Sequence, residues 1–531
     1  MPNSNRRHFL KSSAAAAALA ALRPTNLFAD NDAAKLAADP LRPQFHLLPA
    51  KNWMNDPNGP IFWRGKYHMF FQYNPNSAVW GDMHWNHVVS DDMIHWRHLP
   101  IALAPTPDDD DADGCFTGSA VNDNGTPTII YTGVKSVAAD RATLRDGHHN
   151  FRETQLLATS KDPNLLTWEK FSKPVIEPPQ DPSLTGFRDP FLFRVDATAQ
   201  SPVGARHSRA RSDSPSDDGA ASWYCGIASG QFKKGGRVLL YESKNLRDWK
   251  YLHPLAEGQW SGREHTDPVG SGEMWECPDF FPLDKKWVLL YSTAGSVFWE
   301  VGDLDPKELV FHSQTRGILD YGAYYAQKTQ LDAKNNRILW GWITEKRPDP
   351  ELLAAGWAGC MSLPRTLSIA PDNTLEMDIA PESRSLRHQA FEIPNKSSAS
   401  DRIARTHEIE IRNVCGEFFW MGDAQKSNFS LSDQTGPWLS ISVEAGAEAA
   451  KLTVNGNTIE IPATTKPLRD FSLFLDASVA ELICDNRHAV TTRIYRKPIG
   501  PLKITSDPSE KNLYQLSAWQ LTPISPNRLT T

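Results

Sequence analysis

The chain has 531 residues, of which 40% are hydrophobic and 22% are charged, and this balance excludes a disordered or collagen-like protein. Its 56 Lys and Arg against 63 Asp and Glu give a net charge of −7, so neither a nucleic acid nor an anionic membrane is an expected partner. Tryptophan is abundant, with 18 residues beside 12 Tyr and 23 Phe, and its flat apolar face suits contact with a sugar ring.

The first residues have the pattern of a twin-arginine export signal. Arg6 and Arg7 precede an uncharged, alanine-rich stretch from Ala14 to Leu22, which is too short to span a bilayer. We therefore predict a signal peptide over residues 1–29, with cleavage near Ala29. The mature protein is expected to be exported, either to the periplasm or out of the cell, and to have no membrane partner.

Two repeated patterns predict a β-propeller. Three segments share a Ser, a short acidic or Asn turn, a Trp and a Pro, over residues 90–100, 160–174 and 243–254. Five runs of aromatic and branched residues also recur, over residues 67–71, 128–131, 223–227, 287–291 and 338–342. Five runs imply five blades, and ring closure leaves few open sheet edges. A large β-sandwich is the alternative, and residues 201–222 are predicted to be a low-complexity surface insertion.

A second domain is predicted after a polar, Pro-interrupted stretch between Pro371 and Pro394. Short alternating strands resume over residues 408–411, 439–443, 451–454, 471–475 and 493–495, which is typical of a β-sandwich. Fifteen of the 18 Trp lie between Trp53 and Trp357, which places the sugar-binding candidates in the first domain. We predict an all-β chain, with a five-bladed β-propeller over residues 43–380 and a C-terminal β-sandwich over residues 390–526.

Three acidic motifs are the candidates for chemistry. Their sequences are WMNDPNG at 53–59, FRDP at 187–190 and MWECPD at 274–279, and each places a carboxylate among aromatic, Pro and Gly residues. Equivalent positions in successive blades converge on the propeller axis, so we expect Asp56, Asp189 and Glu276 to meet in one pocket. Each Asp-Pro could instead be a turn at the start of a strand.

Paired carboxylates of this kind suit glycoside hydrolysis, which needs a nucleophile or base and a proton donor. Asp56 has amide donors on both sides and is the better anion, whereas Glu276 has apolar neighbours and is the better proton donor. Asp189 is expected to be held ionised by an ion pair with Arg188. It would then bind sugar hydroxyls and stabilise positive charge at the anomeric centre.

Other candidate groups favour structural roles. The acidic run at 108–111 is expected to be a solvated loop, and the histidines near Trp85 to be packed or hydrogen-bonded rather than zinc ligands: His84, His87 and His95. Ser119 has no nucleophile elbow around it. Six single cysteines predict neither a metal site nor a disulfide framework.

With these residues in hand, the chain resembles glycoside hydrolase family 32, the β-fructofuranosidases that include invertases, levanases and inulinases. The resemblance runs from about Phe45 to Pro498. It rests on WMNDPNGP at 53–60, FRDP at 187–190 and MWECPDFFP at 274–282, and is supported by QYNP at 72–75, GCFTGSA at 114–120, DYGAYYA at 320–326 and ILWGW at 338–342.

The resemblance implies a propeller joined to a β-sandwich, and a retaining double displacement that releases terminal fructose from sucrose, levan or inulin. By motif position, Asp56 would be the nucleophile, Glu276 the general acid/base and Asp189 the transition-state stabiliser, with the carboxyl groups about 5 Å apart. No metal or organic cofactor is implied. The resemblance places further residues at the substrate: Asn55, Gln72, Trp80, Phe116, Thr117, Arg188, Asp320 and Trp342.

Departures from the family pattern bear on the substrate. Ala323 follows Asp320-Tyr321-Gly322, where plant-type invertases commonly have a basic residue that favours sucrose, and Phe116 stands where a Trp is usual. The motifs leave open a transfructosylase, in which a sugar rather than water captures the glycosyl-enzyme. A non-catalytic fructan-binding protein is a further alternative, but such a protein is expected to have lost Asp56 or Glu276.

Overall fold

A computed structural model describes residues 30–144, 146–195, 222–263, 267–393, 408–412, 414–422, 426–462, 468–505 and 513–525. The predicted signal peptide lies outside the described residues, as does the predicted insertion except for Ser222. The helices among these residues are α1 (Asp30–Ala38), α2 (Asp349–Ala355) and one 3-10 turn (Pro381–Leu386). Among the described residues, no helix combines the length and apolar character needed to cross a membrane.

Five antiparallel sheets of four consecutive or nearly consecutive strands form the blades of a β-propeller. Blade I contains β1 (Asn52–Trp63), β2 (Lys66–Asn74), β3 (His84–Ser90) and β4 (Trp96–Leu103). Blade II contains β5 (Gly114–Asp123), β6 (Thr126–Ser136), β7 (Phe151–Thr159) and β8 (Glu169–Lys170). Blade III contains β9 (Leu184–Arg194), β10 (Trp223–Gln231), β11 (Gly235–Ser243) and β12 (Trp249–Glu257).

The last two blades follow the same order. Blade IV contains β13 (Glu276–Leu283), β14 (Lys286–Thr293), β15 (Ser296–Leu304) and β16 (Phe311–Asp320). Blade V contains β17 (Tyr324–Leu331), β18 (Arg337–Ile343), the short β19 (Trp357–Ala358) and β20 (Cys360–Met361), then β21 (Arg365–Ile369) and β22 (Leu375–Ile379). In this blade β20 pairs with β18, whereas β19 leaves the blade and pairs in parallel with β1.

The structure confirms the propeller that the sequence repeats predict. All five aromatic and branched runs lie on the second strand of a blade, namely β2, β6, β10, β14 and β18. The three Ser and Trp segments form the turns after β3, β7 and β11. In each turn the indole N–H donates to a carbonyl three residues earlier, at 2.9 to 3.0 Å, and that carbonyl belongs to a residue with positive φ.

The first strand of every blade faces the axis, because these strands contact one another in a closed ring: β1 with β5, β5 with β9, β9 with β13, β13 with β17 and β17 with β1. Each of them has a β-bulge at the same place, where two of its residues face one residue of the second strand. The bulge pairs are Asn55–Asp56, Phe116–Thr117, Asp189–Pro190, Cys277–Pro278 and Ala326–Gln327. Since a bulge re-aims side chains, this repeated device turns five strands toward one pocket.

The C-terminal part of the chain is a β-sandwich. Its strands are β23 (Arg387–Ile393), β24 (Glu408–Ile411), β25 (Cys415–Gly422), β26 (Lys426–Asp433), β27 (Gly436–Glu444), β28 (Ala449–Val454), β29 (Asn457–Pro462), β30 (Asp470–Asp476), β31 (Val479–Cys484), β32 (His488–Arg493), β33 (Leu502–Thr505) and β34 (Leu513–Leu521). One sheet has the order β24-β33-β26-β27-β28-β29 and the other β32-β31-β30-β25-β34-β23. An apolar core that includes Trp420, Leu439 and Phe471 lies between them.

The sandwich is joined to the propeller by backbone pairing and by a buried ionic cluster. Blade IV continues into the second sandwich sheet through a parallel bridge between Asp320 of β16 and Ala489 of β32. Beside it, His46 lies between Asp476, at 2.8 Å, and Glu481, at 2.9 Å, and all three side chains are fully buried. Glu481 also accepts a 2.7 Å hydrogen bond from Arg365. The domain limits 43–380 and 390–526 themselves stay predictions.

Candidate active site

A cavity of about 660 Å³ opens at one end of the propeller axis. Ten of its lining residues come from β1, β2, the first strands of blades II to V, β18 and the loop after β2: Asn55, Asp56, Gln72, Trp80, Phe116, Arg188, Asp189, Glu276, Tyr325 and Trp342. Nine of these ten were predicted from the sequence, Tyr325 being the exception. The three acids lie up to 220 positions apart in the chain. The fold brings them together in this cavity, because the bulges of β1, β9 and β13 face the same axis.

Asp56 is held by a directed chain of hydrogen bonds. Thr117 Oγ1 donates to Asp56 Oδ2 at 2.5 Å, and Asn55 Nδ2 donates to Asp56 Oδ1 at 3.0 Å. Gln72 Nε2 in turn donates to Thr117 Oγ1 at 2.6 Å, which leaves the Thr117 proton for Asp56. Trp53 Nε1 donates to Asn55 Oδ1 at 2.8 Å and so orients the Asn55 amide. Asp56 is thus presented as a hydrogen-bond acceptor in a fixed orientation.

Glu276 is held from two neighbouring blades. Arg188 Nη2 donates to Glu276 Oε1 at 2.7 Å, and the Tyr325 hydroxyl donates to Glu276 Oε2 at 2.7 Å. Arg188, Glu276 and Tyr325 occupy the same position on their strands, immediately before the bulge pair. Tyr325 is the functional residue that the motif analysis missed, although its equivalence to Glu276 could be read from their spacing to the second strand.

Asp189 is oriented by the backbone. Its own N–H donates to Thr132 Oγ1 at 2.9 Å, and its Oδ2 accepts a 2.8 Å hydrogen bond from the Cys277 N–H. The Cys277 sulfur lies 3.2 Å from Asp56 Oδ2 and 3.6 Å from Asp189 Oδ2, so one thiol touches both carboxylates. Asp189 and Cys277 have φ values of 61° and 48°, a left-handed backbone that is uncommon outside glycine and often found at functional sites.

The expected ion pair between Arg188 and Asp189 is wrong. Arg188 instead donates to Glu276 and, through Nη1, to Glu153 Oε1 at 2.9 Å. Glu153 is fully buried and also accepts hydrogen bonds from the Phe187 N–H and the Thr143 hydroxyl. The reason for the difference is that carboxylates on two neighbouring strands, Glu153 on β7 and Glu276 on β13, bind both ends of the Arg188 guanidinium.

Burial dominates the ionisation of the two aspartates. It raises the pKa of Asp189 to about 7, because the opposing charge of Arg188 is outweighed by burial together with the nearby Glu276 and Asp56. Burial also raises the pKa of Asp56, with the hydrogen bond from Thr117 acting in the opposite direction and Glu276 adding to the rise. Near neutral pH, Asp189 is therefore partly protonated, which corrects the expectation that it is held ionised.

Two predicted substrate-binding residues lie outside the cavity surface. Thr117 is fully buried behind Asp56 and acts on it directly, as described above. Asp320 is buried at the joint with the sandwich, where its carboxylate accepts hydrogen bonds from Arg365, at 3.0 Å, and from the Thr491 hydroxyl, at 2.6 Å. Because Asp320 is committed to the joint and does not line the cavity, the prediction that it contacts substrate is corrected.

The mouth of the cavity combines aromatic and titratable groups. Trp80 is 43% exposed, and its ring packs edge-on against Phe116, at 6.0 Å, and 5.6 Å from His149. His149 Nδ1 pairs with Asp146 Oδ2 at 2.8 Å, and its ring stacks on Phe151. The mouth residues come from three loops: Leu144, Asp146, His148 and His149; Asp267, Val269 and Gly270; and Gly295.

The other titratable candidates lie outside the cavity lining and make hydrogen bonds or ion pairs with protein groups. His87 hydrogen-bonds to His68, whereas His95 hydrogen-bonds to Asp92. Asp111 departs from the expected solvated loop, because it is buried and pairs with Lys170 at 2.5 Å. Across the described ranges, no three His, Cys, Asp or Glu side chains are grouped in a way that could hold a metal ion.

Comparison with known sequences assigns most of the chain to one family. Residues 46–214 and 215–378 match the family model of the glycosyl hydrolases family 32 N-terminal domain, and residues 3–22 match that of the twin-arginine translocation signal. The chain is 33% identical over 482 residues to the sucrose-6-phosphate hydrolase of Escherichia coli, covering 86% of this chain and 90% of that one. It is 36% identical over 343 residues to the raffinose invertase of Escherichia coli, covering 61% of each chain.

Solved structures agree with this assignment. The β-fructofuranosidase BmSUC1 of Bombyx mori, solved as a mutant in complex with sucrose, is 28% identical, with a TM-score of 0.73 over 93% of this chain and 96% of that one. Fructan 1-exohydrolase IIa of Cichorium intybus, at 23% identity, shares the fold, with a TM-score of 0.71 over 91% of this chain and 98% of that one.

Proposed function

Since the chain belongs to glycoside hydrolase family 32 and is a glycosidase that carries an export signal, we propose that it is an exported, retaining exo-β-fructosidase. Its substrates would be sucrose and fructans such as levan and inulin, from which it releases terminal β-D-fructofuranosyl residues. The observation that carries the proposal is the convergence of Asp56, Asp189 and Glu276 in a cavity whose mouth presents Trp80.

In this proposal Asp56 attacks the anomeric carbon of the bound fructosyl unit. The bond from that carbon to the leaving oxygen breaks, and Glu276 transfers its proton to the oxygen as the bond to Asp56 forms. Water then attacks the fructosyl-enzyme, Glu276 accepts a proton from the water, and Asp56 is released. Arg188 and Tyr325 keep Glu276 in place through both steps, since each holds one of its two oxygens.

Asp189 serves the fructosyl ring in this scheme. A pKa of about 7 allows its carboxyl group both to accept and to donate hydrogen bonds to sugar hydroxyls near neutral pH. In its ionised form it also stabilises the positive charge that develops at the anomeric carbon.

The proposal is tested by measuring fructose release from sucrose, levan and inulin in parallel. Wild-type protein is compared with Asp56→Asn and with Asp91→Asn, a matched change at an exposed acid on blade I. We expect Asp56→Asn to lose about 10⁴-fold or more in kcat on every substrate, because the nucleophile is removed, and Asp91→Asn to keep wild-type rates.

Two results would contradict the assignment. Undiminished activity of Asp56→Asn would show that Asp56 is not the nucleophile, and no fructose from any of the three substrates would overturn the β-fructosidase proposal. Product analysis at high sucrose concentration shows whether water or a second sugar captures the covalent fructosyl-enzyme. Free fructose in excess over longer oligosaccharides supports hydrolysis, whereas a majority of oligosaccharides would make the protein a transfructosylase.

A further inference from the structure

The cavity carries an excess of negative charge. Its described lining includes one guanidinium, that of Arg188, and five carboxyl groups, which gives a formal charge of 1 − 5 = −4 when every carboxyl is counted as ionised and the histidines as uncharged: Asp56, Asp146, Asp189, Asp267 and Glu276. A cleft lined by charges of one sign repels ligands of the same sign more strongly than an open surface does.

The cation of the cavity is already engaged. Both ends of the Arg188 guanidinium bind carboxylates, Glu276 on the cavity side and the fully buried Glu153 behind it. An incoming anion would have to compete with these two ion pairs at distances of 2.7 and 2.9 Å. Arg188 is therefore not available to a phosphate group without leaving a buried carboxylate unpaired, which is costly.

Negative charge is also present at the mouth, where the leaving group of a fructoside would lie. Asp146 accepts hydrogen bonds from the His148 and His149 backbone and from the His149 ring, and these lower its pKa despite partial burial. Asp267 accepts hydrogen bonds from the N–H groups of Val269 and Gly270.

We propose that Asp146 and Asp267 act as an electrostatic filter that restricts the enzyme to uncharged saccharides and rejects substrates phosphorylated on the leaving group. The inference rests on the proposed β-fructosidase activity and narrows its substrate class. It separates this chain from the relative that is named a sucrose-6-phosphate hydrolase. A phosphate carries a charge of nearly −2 at neutral pH, so its repulsion by the mouth acids is strong.

The test compares kcat/KM for sucrose and for sucrose-6-phosphate at about pH 7.5, where the phosphate is doubly ionised. We expect sucrose to be preferred by about tenfold or more at low ionic strength. Added salt, near 0.5 M, should narrow this preference, because screening acts on the charged substrate and leaves sucrose unaffected. The double variant Asp146→Asn/Asp267→Asn should also reduce the preference for sucrose. Asp91→Asn, which lies outside the cavity lining, should leave the ratio of the two kcat/KM values unchanged.

A kcat/KM for sucrose-6-phosphate equal to or above that for sucrose would overturn the filter. A preference that neither salt nor the double variant reduces would also overturn it, because the discrimination would then be steric. Calorimetric binding of both sugars to the inactive Asp56→Asn variant tests the filter independently of turnover. Weaker binding of sucrose-6-phosphate supports the filter even where fructose release fails, and such a failure counts against the proposed function alone.

Discussion

The Thr117 hydroxyl determines how Asp56 presents its charge. Burial alone pushes the carboxyl group toward its protonated form, whereas a nucleophile must be ionised. Thr117 opposes the effect of burial with a short hydrogen bond, and Gln72 fixes the direction of that bond by donating to the same oxygen. The residue contacts no substrate surface in the cavity, yet it acts on the group proposed to carry out the first step.

Replacing Thr117 by Val keeps the shape of the side chain and removes this hydrogen bond. We expect kcat to fall by about 10- to 100-fold, the effect of losing a hydrogen bond to a charged group. The pKa of Asp56 should rise, so the acid limb of the kcat/KM profile moves to higher pH. Thr117→Ser is the control and should restore most of the activity, whereas a pH profile of Thr117→Val that overlays the wild type would refute the role.

At the scale of elements, the repeated bulge is what converts five similar blades into one asymmetric site. A carboxylate lies in the bulge of blades I and III and immediately before the bulge in blade IV. In the other two blades the bulge contains Phe116 with Thr117 and Ala326 with Gln327. Hydroxyl groups on the second strand of one blade accept hydrogen bonds from the bulge of the next blade. Thr132 of blade II accepts from the Asp189 N–H, and Ser292 of blade IV accepts from the Ala326 N–H at 3.1 Å.

Thr132→Val tests whether this cross-blade contact positions the bulge. The variant leaves the buried Asp189 N–H without its acceptor and removes the bond from Thr132 to Gln155. We expect a loss of about 1–3 kcal/mol in the free energy of unfolding by urea, together with a lower kcat. Thr132→Ser should retain both quantities, and an unchanged unfolding midpoint in Thr132→Val would contradict the prediction.

The bulges also mark the limit of what the sequence could predict. The acids, the aromatic runs and the number of blades follow from composition and spacing, because each of them repeats along the chain. The partners of Arg188 and the burial of Asp320 do not, because both depend on contacts between distant parts of the chain: Arg188 pairs with Glu153 and Glu276, and the joint is formed by β16 and β32. A pairwise expectation from adjacency therefore failed for Arg188 and Asp189.

At the scale of the whole molecule, His46 couples the junction of the two domains to pH. Burial lowers its pKa, but hydrogen bonds and charge from Asp476 and Glu481 outweigh this and raise the pKa to about 9. The charged form is thus bound more tightly in the folded protein than in the unfolded chain. The stabilisation is complete below about pH 6.5 and is lost as the pH rises through about 9.

The pKa of His46 is about 6.5 in the unfolded chain and about 9 in the folded protein. This difference corresponds to about 3 kcal/mol in the free energy of unfolding. We expect thermal or urea unfolding to show this loss between about pH 6.5 and 9 in the wild type and to lack most of it in His46→Gln. His98→Gln is the matched control, because burial lowers the pKa of His98 to about 4 and the residue does not titrate in this range. An equal alkaline loss in His46→Gln would show that other groups cause it.

Closure of the fold depends on contacts between early and late parts of the chain. Trp53 pairs with Ala358, and the N–H groups of residues 44–46 donate to Asp476, with Gln44 and Asp476 standing 432 positions apart. The pairing with Ala358 needs the last blade, and the contacts with Asp476 need the second domain, so the propeller is not closed during most of translation. A fold that is closed by residues synthesised late is compatible with a transport route that carries folded cargo. The protein would leave the cytoplasm with its catalytic pocket already assembled.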